Sequence, residues 1–186
     1  MKDAFILFLF VLSSIYVSCD RVKPDSPDFS ESGIRRSPIA ISSIRLNQSY
    51  VKVVYGQPYR DGRTIFGDWE PYGEVWRTGA NEATEITITK TILMDGNQIL
   101  PGTYSLFTIP NEDSWTIILN RELGLWGAFD YKPEMDYLRF DIPTVELKEE
   151  VEVFTISFTE LQNSVSTMSM QWDMTGVEIP IRLFEE

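Results

Sequence analysis

From residue 39 onward the chain alternates between apolar and polar positions with period two. In VEVFTISFTE, Phe154, Ile156 and Phe158 fall on one face, opposite Val153, Thr155, Ser157 and Thr159. VSTMSMQWDM sets Met168, Met170 and Trp172 against Thr167, Ser169 and Gln171, and VEIPIRLF sets Val177, Ile179, Ile181 and Leu183 against Glu178, Pro180 and Arg182. Successive side chains of a strand point to opposite faces, so these runs predict strands with one face in a core and one in water. Pro180 lacks an amide donor, which predicts an edge position for the last of them. Two hairpins are expected upstream: IAISSIRL and SYVKVVYG around Asn47-Gln48, and EITITKTILM and QILPGTYSLFTI around Asp95-Gly96-Asn97, where Asp-Gly suits a type I′ turn. SWTIILN follows after the polar Asn111-Glu112-Asp113. Helical periodicity is confined to two short candidates, Arg121 to Gly124 and Pro133 to Leu138. The pattern predicts an all-β fold: an antiparallel β-sandwich of about eight to ten strands with one or two short helical turns, in a single domain over residues 39–186.

The amino-terminal part reads differently. MKDAFILFLFVLSSIYVS, residues 1–18, has the build of an export signal, with Lys2 at its start and an apolar run from Ala4 to Leu12. That run is shorter than the roughly 20 residues a membrane-spanning helix needs. Tyr16-Val17-Ser18-Cys19 resembles the lipobox of bacterial lipoproteins, in which the cysteine becomes an acylated N-terminus. Ser18 fits; Tyr16 stands where leucine is usual, and Asp3 is unusual in a positive leader. Acylation at Cys19 would anchor the protein to a membrane of the bacterial cell envelope, on its periplasmic or surface side, whereas a plain secretory signal with an incidental cysteine is the alternative. Cys19 is the only cysteine, so no intramolecular disulfide or cysteine metal cluster is available. Residues 19–38, polar and rich in Ser and Pro, read as the lipidated Cys and a flexible tether.

Charge narrows the partners. The chain carries a net charge of −12 and no histidine. Residues 35–90 hold eight Lys and Arg against six Asp and Glu, while residues 91–186 hold five against seventeen. Such acidity argues against a nucleic-acid partner, yet leaves room for a local anion site in the arginine-bearing half. The missing histidine excludes Ser-His-Asp catalysis and His-ligated zinc. No phosphate loop, dinucleotide fingerprint or EF-hand spacing is present, so no cofactor, metal or catalytic residue is assigned.

Two stretches depart from the plain strand pattern. VVYGQPYRDGRTIFGDWEPYGEVWRTGANEAT, residues 53–84, places a glycine every five or six residues among arginines, carboxylates and aromatics. LGLWGAFDYKPEMDYLR, residues 123–139, is a second aromatic-rich insert, expected to meet the first in space. Arg63 and Arg77 can offer planar donors to an oxyanion, Trp76 and Trp126 flat faces to a sugar ring, and Asn81 and Glu82 hydrogen bonds to hydroxyls. With Tyr131 from the second insert, these form the candidate binding set for a glycan or other anionic or polar small ligand. Three alternatives stay open. Arg77 could bridge Glu82 or another carboxylate under a turn, with Trp76 in the core; two of Asp68, Glu70, Glu82 and Asp136 could serve a glycan hydrolase; or the inserts could dock on another envelope protein.

The succession VVYGQPYRDGRTIFG, PYGEVWRTGANEATEI, PGTYSLFTIP, WTIILN and WGAFDY resembles a widespread family of exported bacterial proteins, many of them lipoproteins, known only as a domain of unknown function. The resemblance covers roughly residues 39–160. It implies a domain and an exported address, and names no activity.

Overall fold

The computed structural model describes residues 36–184. The expected export signal, Cys19 and all but the last residues of the tether lie outside the described residues. Nine strands form: β1 (Ile39–Leu46), β2 (Ser49–Gly56), β3 (Thr84–Ile88), β4 (Ile92–Met94), β5 (Asn97–Ile99), β6 (Gly102–Pro110), β7 (Ser114–Asn120), β8 (Asp136–Phe158) and β9 (Val165–Leu183). All neighbours are antiparallel, in the order β1-β2-β3-β6-β7-β8-β9-β4-β5.

The long strand β8 turns this sheet into a sandwich. Its first part, to Pro143, pairs with β7, and its remainder, from Thr144 to Phe158, pairs with β9. Register shifts after Glu146 and Val151 interrupt the second ladder, and such irregularities let a strand bend and twist. Inward side chains from both halves then share one core: Val51 and Val53 from β2, Ile86 from β3, Leu106 from β6, Trp115 and Ile117 from β7, Phe154 from β8 and Trp172 from β9. The faces that alternation assigns to the core are buried at Phe154, Ile156, Met168, Met170, Trp172, Val177, Ile179, Ile181 and Leu183. Each large apolar side chain so buried contributes roughly 1.5–3 kcal/mol.

The structure corrects the sequence reading in four places. EITITKTILM is two strands in different halves of the sandwich, because the chain turns at Thr89, whose N–H donates to Tyr50 O at 3.0 Å. QILPGTYSLFTI likewise breaks at Leu100-Pro101 between β5 and β6. The last two alternating runs form one strand, β9, which lies between β8 and β4 rather than at an edge. Pro180 is tolerated there because pairing with β8 ends at Val177, and its carbonyl accepts the Asp95 N–H at 2.8 Å. Of the helical candidates, Pro133–Met135 makes a single 3-10 turn. The 121–124 stretch makes none, since Asn120 and Ser105 side chains bond the Glu122 N–H and carbonyl and Gly124 takes φ +67°.

Candidate functional site

Between β2 and β3 the chain makes two successive loops over one end of the sandwich. The second, residues 76–84, begins at Trp76, whose N–H and carbonyl both pair with Thr108 on β6. That pairing turns the indole inward. Trp76 is 3% exposed, lies 5.8 Å from Trp172 in a near-parallel stack, and meets Phe66, Trp115 and Phe154 edge to face. Its Nε1 donates to Gly79 O at 3.2 Å. Trp76 is therefore a core residue, and the expected ligand-facing indole is not there: both the stack and the hydrogen bond are internal.

Thr84 Oγ1 donates to Thr78 O at 2.6 Å, Thr78 Oγ1 donates to Thr108 Oγ1 at 3.2 Å, and the Thr84 N–H donates to Arg77 O at 3.1 Å. The loop is pressed against the end of β2, where the Ala80 N–H donates to Gly56 O at 3.3 Å. A Cβ on Gly56 would lie 2.1 Å from Ala80 O, so only glycine permits this approach.

The first loop, residues 57–70, is tied to the opposite half. Arg60 forms ion pairs with Glu150 at 3.0 Å and Asp173 at 3.1 Å, the Arg60 N–H donates to Glu152 O, and the Phe154 N–H donates to Pro58 O. Arg63 donates through Nε to Arg60 O at 2.7 Å and through Nη2 to Tyr59 O. Its guanidinium lies 4.1 Å above the Trp69 ring, a cation–π stack.

The two loops border an open cavity of about 460 Å³, lined by Tyr59, Asp61, Arg63, Trp69, Arg77 and Asn81 together with Arg36, Ser37 and Glu152. Asn81 holds the left-handed conformation, φ 65°, that asparagine adopts more readily than most residues. Arg77 Nε is buried with no hydrogen-bond partner. Tyr59 and Trp69 keep 45% and 55% of their surface exposed. Burial pushes the Glu70 carboxyl up to about 7, against the pull of Arg77 and Arg63.

The second insert does meet the first. Glu82 and Trp126 form an antiparallel bridge, the Ala83 N–H donates to Leu125 O at 2.9 Å, and the Gly127 N–H donates to Asn81 O at 2.8 Å. Glu82 lines a separate, mainly apolar cavity of about 220 Å³ with Ile39, Val54, Ala83 and Leu125. Trp126 is 59% exposed. Tyr131 packs on Phe107 and donates to Asp136 Oδ2 at 2.7 Å beside Arg139; burial and Asp136 push its phenol up to about 12.

Of the seven expected residues, the structure brings Arg63, Arg77 and Asn81 to one cavity. Glu82 and Trp126 lie on the neighbouring bridge, Tyr131 in its own cluster and Trp76 in the core. The sequence reading missed Tyr59, Asp61 and Trp69, which share the glycine-rich run, and Glu152, whose acidic stretch on β8 carries no local signal. Among the described residues no group of three or more His, Cys, Asp or Glu could hold a metal ion.

The family described as a protein of unknown function (DUF2911) matches residues 37–181, and the chain belongs to it. No curated protein and no solved structure matches.

Proposed function

We propose that this member of the DUF2911 family is a non-catalytic binding module that takes a small anionic or polar ligand, foremost an acidic glycan unit, in the cavity between the two loops. Acylation of Cys19 would hold it at a bacterial envelope membrane. The observation that carries the reading is Arg77: a guanidinium with a buried, unpartnered Nε, on the wall of a cavity that Arg63 also lines. A buried donor left unmade costs about 1–3 kcal/mol, a cost that an oxyanion bonding to that donor would offset. Trp69 and Tyr59 add exposed aromatic surface of the kind that packs on sugar rings, and Asn81 adds amide donors and an acceptor.

The experiment is a titration of purified protein against acidic and neutral oligosaccharides, with Arg77→Ala as comparator. Saturable binding of the acidic series, lost in the variant, supports the reading; absence of binding across the panel rejects it. For a hydrolase, Asp68, Glu70 and Asp136 do not line the cavity and Glu82 lines the other one, so the four carboxyls give that alternative no support. Docking on an envelope protein draws on the exposed Leu123, Trp126 and Phe129, and co-purification separates it from glycan binding.

A further inference from the structure

The face of the sheet turned away from the main core is covered over only part of its width. Phe107 of β6 and Ile118 of β7 lie on that face and are buried with Ala83, and Leu125, Ala128 and Tyr131 of the second insert pack against them. The cover reaches β3, where the Ala83 N–H donates to Leu125 O at 2.9 Å and the Gly124 N–H donates to Glu85 Oε1 at 3.0 Å. Beyond it, β1 and β2 carry apolar residues on the same face. Val54 stands opposite Ile41 on one side and Glu85 on the other, and Ile39 stands opposite Gly56. Val53 and Ile86 belong to the main core, so period two assigns their neighbours Val54 and Glu85 to the outer face. A sheet face left to water ordinarily carries polar side chains, yet Ile39 and Ile41 are exposed here. Between this apolar strip and the insert lies the cavity of about 220 Å³, whose walls include Ile39, Val54, Ala83, Leu125, Glu82 and Glu85.

We propose that this second cavity binds a small amphipathic amine, an apolar body that carries an ammonium group and has about nine non-hydrogen atoms in all. Volume sets the size: an apolar cavity of about 150 Å³ takes benzene, so one of about 220 Å³ takes roughly half as many atoms again. Charge sets the sign. Among the described residues the charged groups lining the cavity are Glu82 and Glu85, both acidic, and no lysine or arginine lines it. Glu85 is tied to the insert through Oε1, and a carboxylate has room for further donors beyond that one. The backbone of Glu82 is held by its bridge to Trp126, which fixes a second acidic position on the wall. An ammonium beside these carboxylates and an apolar wall gains a Coulomb attraction less screened than in bulk water, on top of the burial of its apolar body. A neutral molecule of the same shape gains the burial alone, and an anion is repelled. This cavity shares no lining residue with the arginine-lined one, so the two binding readings stand or fall separately.

The test is calorimetric titration of 2-phenylethylamine, its neutral counterpart 2-phenylethanol and the anion phenylacetate into the full chain held in lipid nanodiscs, with empty nanodiscs as the blank. The amine is expected to bind saturably, the alcohol at least about 10-fold more weakly, and phenylacetate not at all, since a charge-assisted hydrogen bond is worth about 10- to 100-fold in affinity. Glu85→Gln keeps an amide oxygen to accept the Gly124 N–H and removes the charge. It is expected to bring the amine down to the level of the alcohol and to leave the alcohol unchanged. Glu82→Gln is expected to weaken the amine in the same direction. Val54→Phe, an aromatic residue suited to a strand, fills the cavity and is expected to abolish binding of both, with cooperative thermal unfolding as the check that it folds. No saturable binding of the amine by wild type overturns the proposal. So does amine binding that survives Val54→Phe, which would locate it elsewhere, or an affinity equal to that of the alcohol and indifferent to both glutamine variants.

Discussion

Replacing Arg77 by Met separates a fold-holding arginine from a ligand-facing one. Met keeps an unbranched stem of similar reach and deletes the guanidinium. In the folded protein Arg77 Nε is buried without a partner, and the contacts that fix residue 77 are backbone ones, such as Arg77 O accepting the Thr84 N–H, which survive the substitution. Removing an unsatisfied buried donor relieves about 1–3 kcal/mol, against which stands the lost attraction to Glu70. That attraction is minimised by working near pH 5.5, below the value of about 7 to which burial raises Glu70. The net expectation is a change between about 0.5 kcal/mol of destabilisation and about 2 kcal/mol of stabilisation. An arginine that held the fold through a buried ion pair would instead cost about 3–5 kcal/mol on removal. Urea unfolding distinguishes these cases, since with a slope of about 1–3 kcal/mol per molar the larger loss lowers the midpoint by about 1 M or more. A fall of that size would refute the assignment of Arg77 to the cavity. The same variant is expected to lose about 10- to 100-fold in affinity for glucuronate, the worth of a charge-assisted hydrogen bond.

Gly56→Ala tests the seam between β2 and the second loop. Gly56 is not in the left-handed region, so alanine has no backbone penalty there and would gain about 0.4–1 kcal/mol through the unfolded state. The 2.1 Å approach of its Cβ to Ala80 O reverses the sign. A net loss of about 2 kcal/mol, seen as a Tm lower by about 4–8 °C, is expected, and an unchanged or higher Tm would refute the contact. Glu70 gives a pH signature in stability. Burial raises its folded-state value from the ordinary 4.5 to about 7, so its contribution is fully present below about pH 4.5 and is lost as pH rises through about 7. The wild-type advantage over Glu70→Gln is therefore expected to shrink across that interval, by about 3 kcal/mol at most, and a difference that is flat or grows with pH in denaturant titrations contradicts the burial argument.

Alternation made the strands legible because it is a local property: Phe154, Met168, Trp172 and Ile181 are on the buried face that period two gives them. Partner choice is not local. Nothing within Glu85 to Met94 distinguishes β3, which pairs with β2, from β4, which crosses to β9. The site divides the same way. Arg63, Arg77 and Asn81 stood out by residue type in a glycine-rich run, and the cavity contains them. Which tryptophan faces in and which out depends on a partner strand: Trp76 is turned inward by pairing with Thr108, fully 32 positions along the chain, whereas the Trp69 N–H donates to Thr64 O within its own loop. Glu152 reaches the cavity because Arg60 and Asp61 bond to it across the sandwich, a contact that exists only once the sheet has folded over.

The segment WRTGANEAT therefore combines two roles in consecutive residues. Trp76 and Thr78 point inward and, with Gly79 and Thr84, fasten the loop to β2 and β6. Arg77 and Asn81, in the positions between and after them, are left on the cavity wall. Glycine-rich loops usually carry a large ordering cost when they bind, because the chain must be fixed at that moment. Here that cost is met on folding, by the core tryptophan and the threonine hydrogen bonds, which fix the backbone that carries Arg77. A preorganised donor loses less entropy on binding and so converts more of its interaction into affinity. The burial that makes Trp76 useless as a ligand contact is what would preorganise its neighbour Arg77 for the binding proposed above.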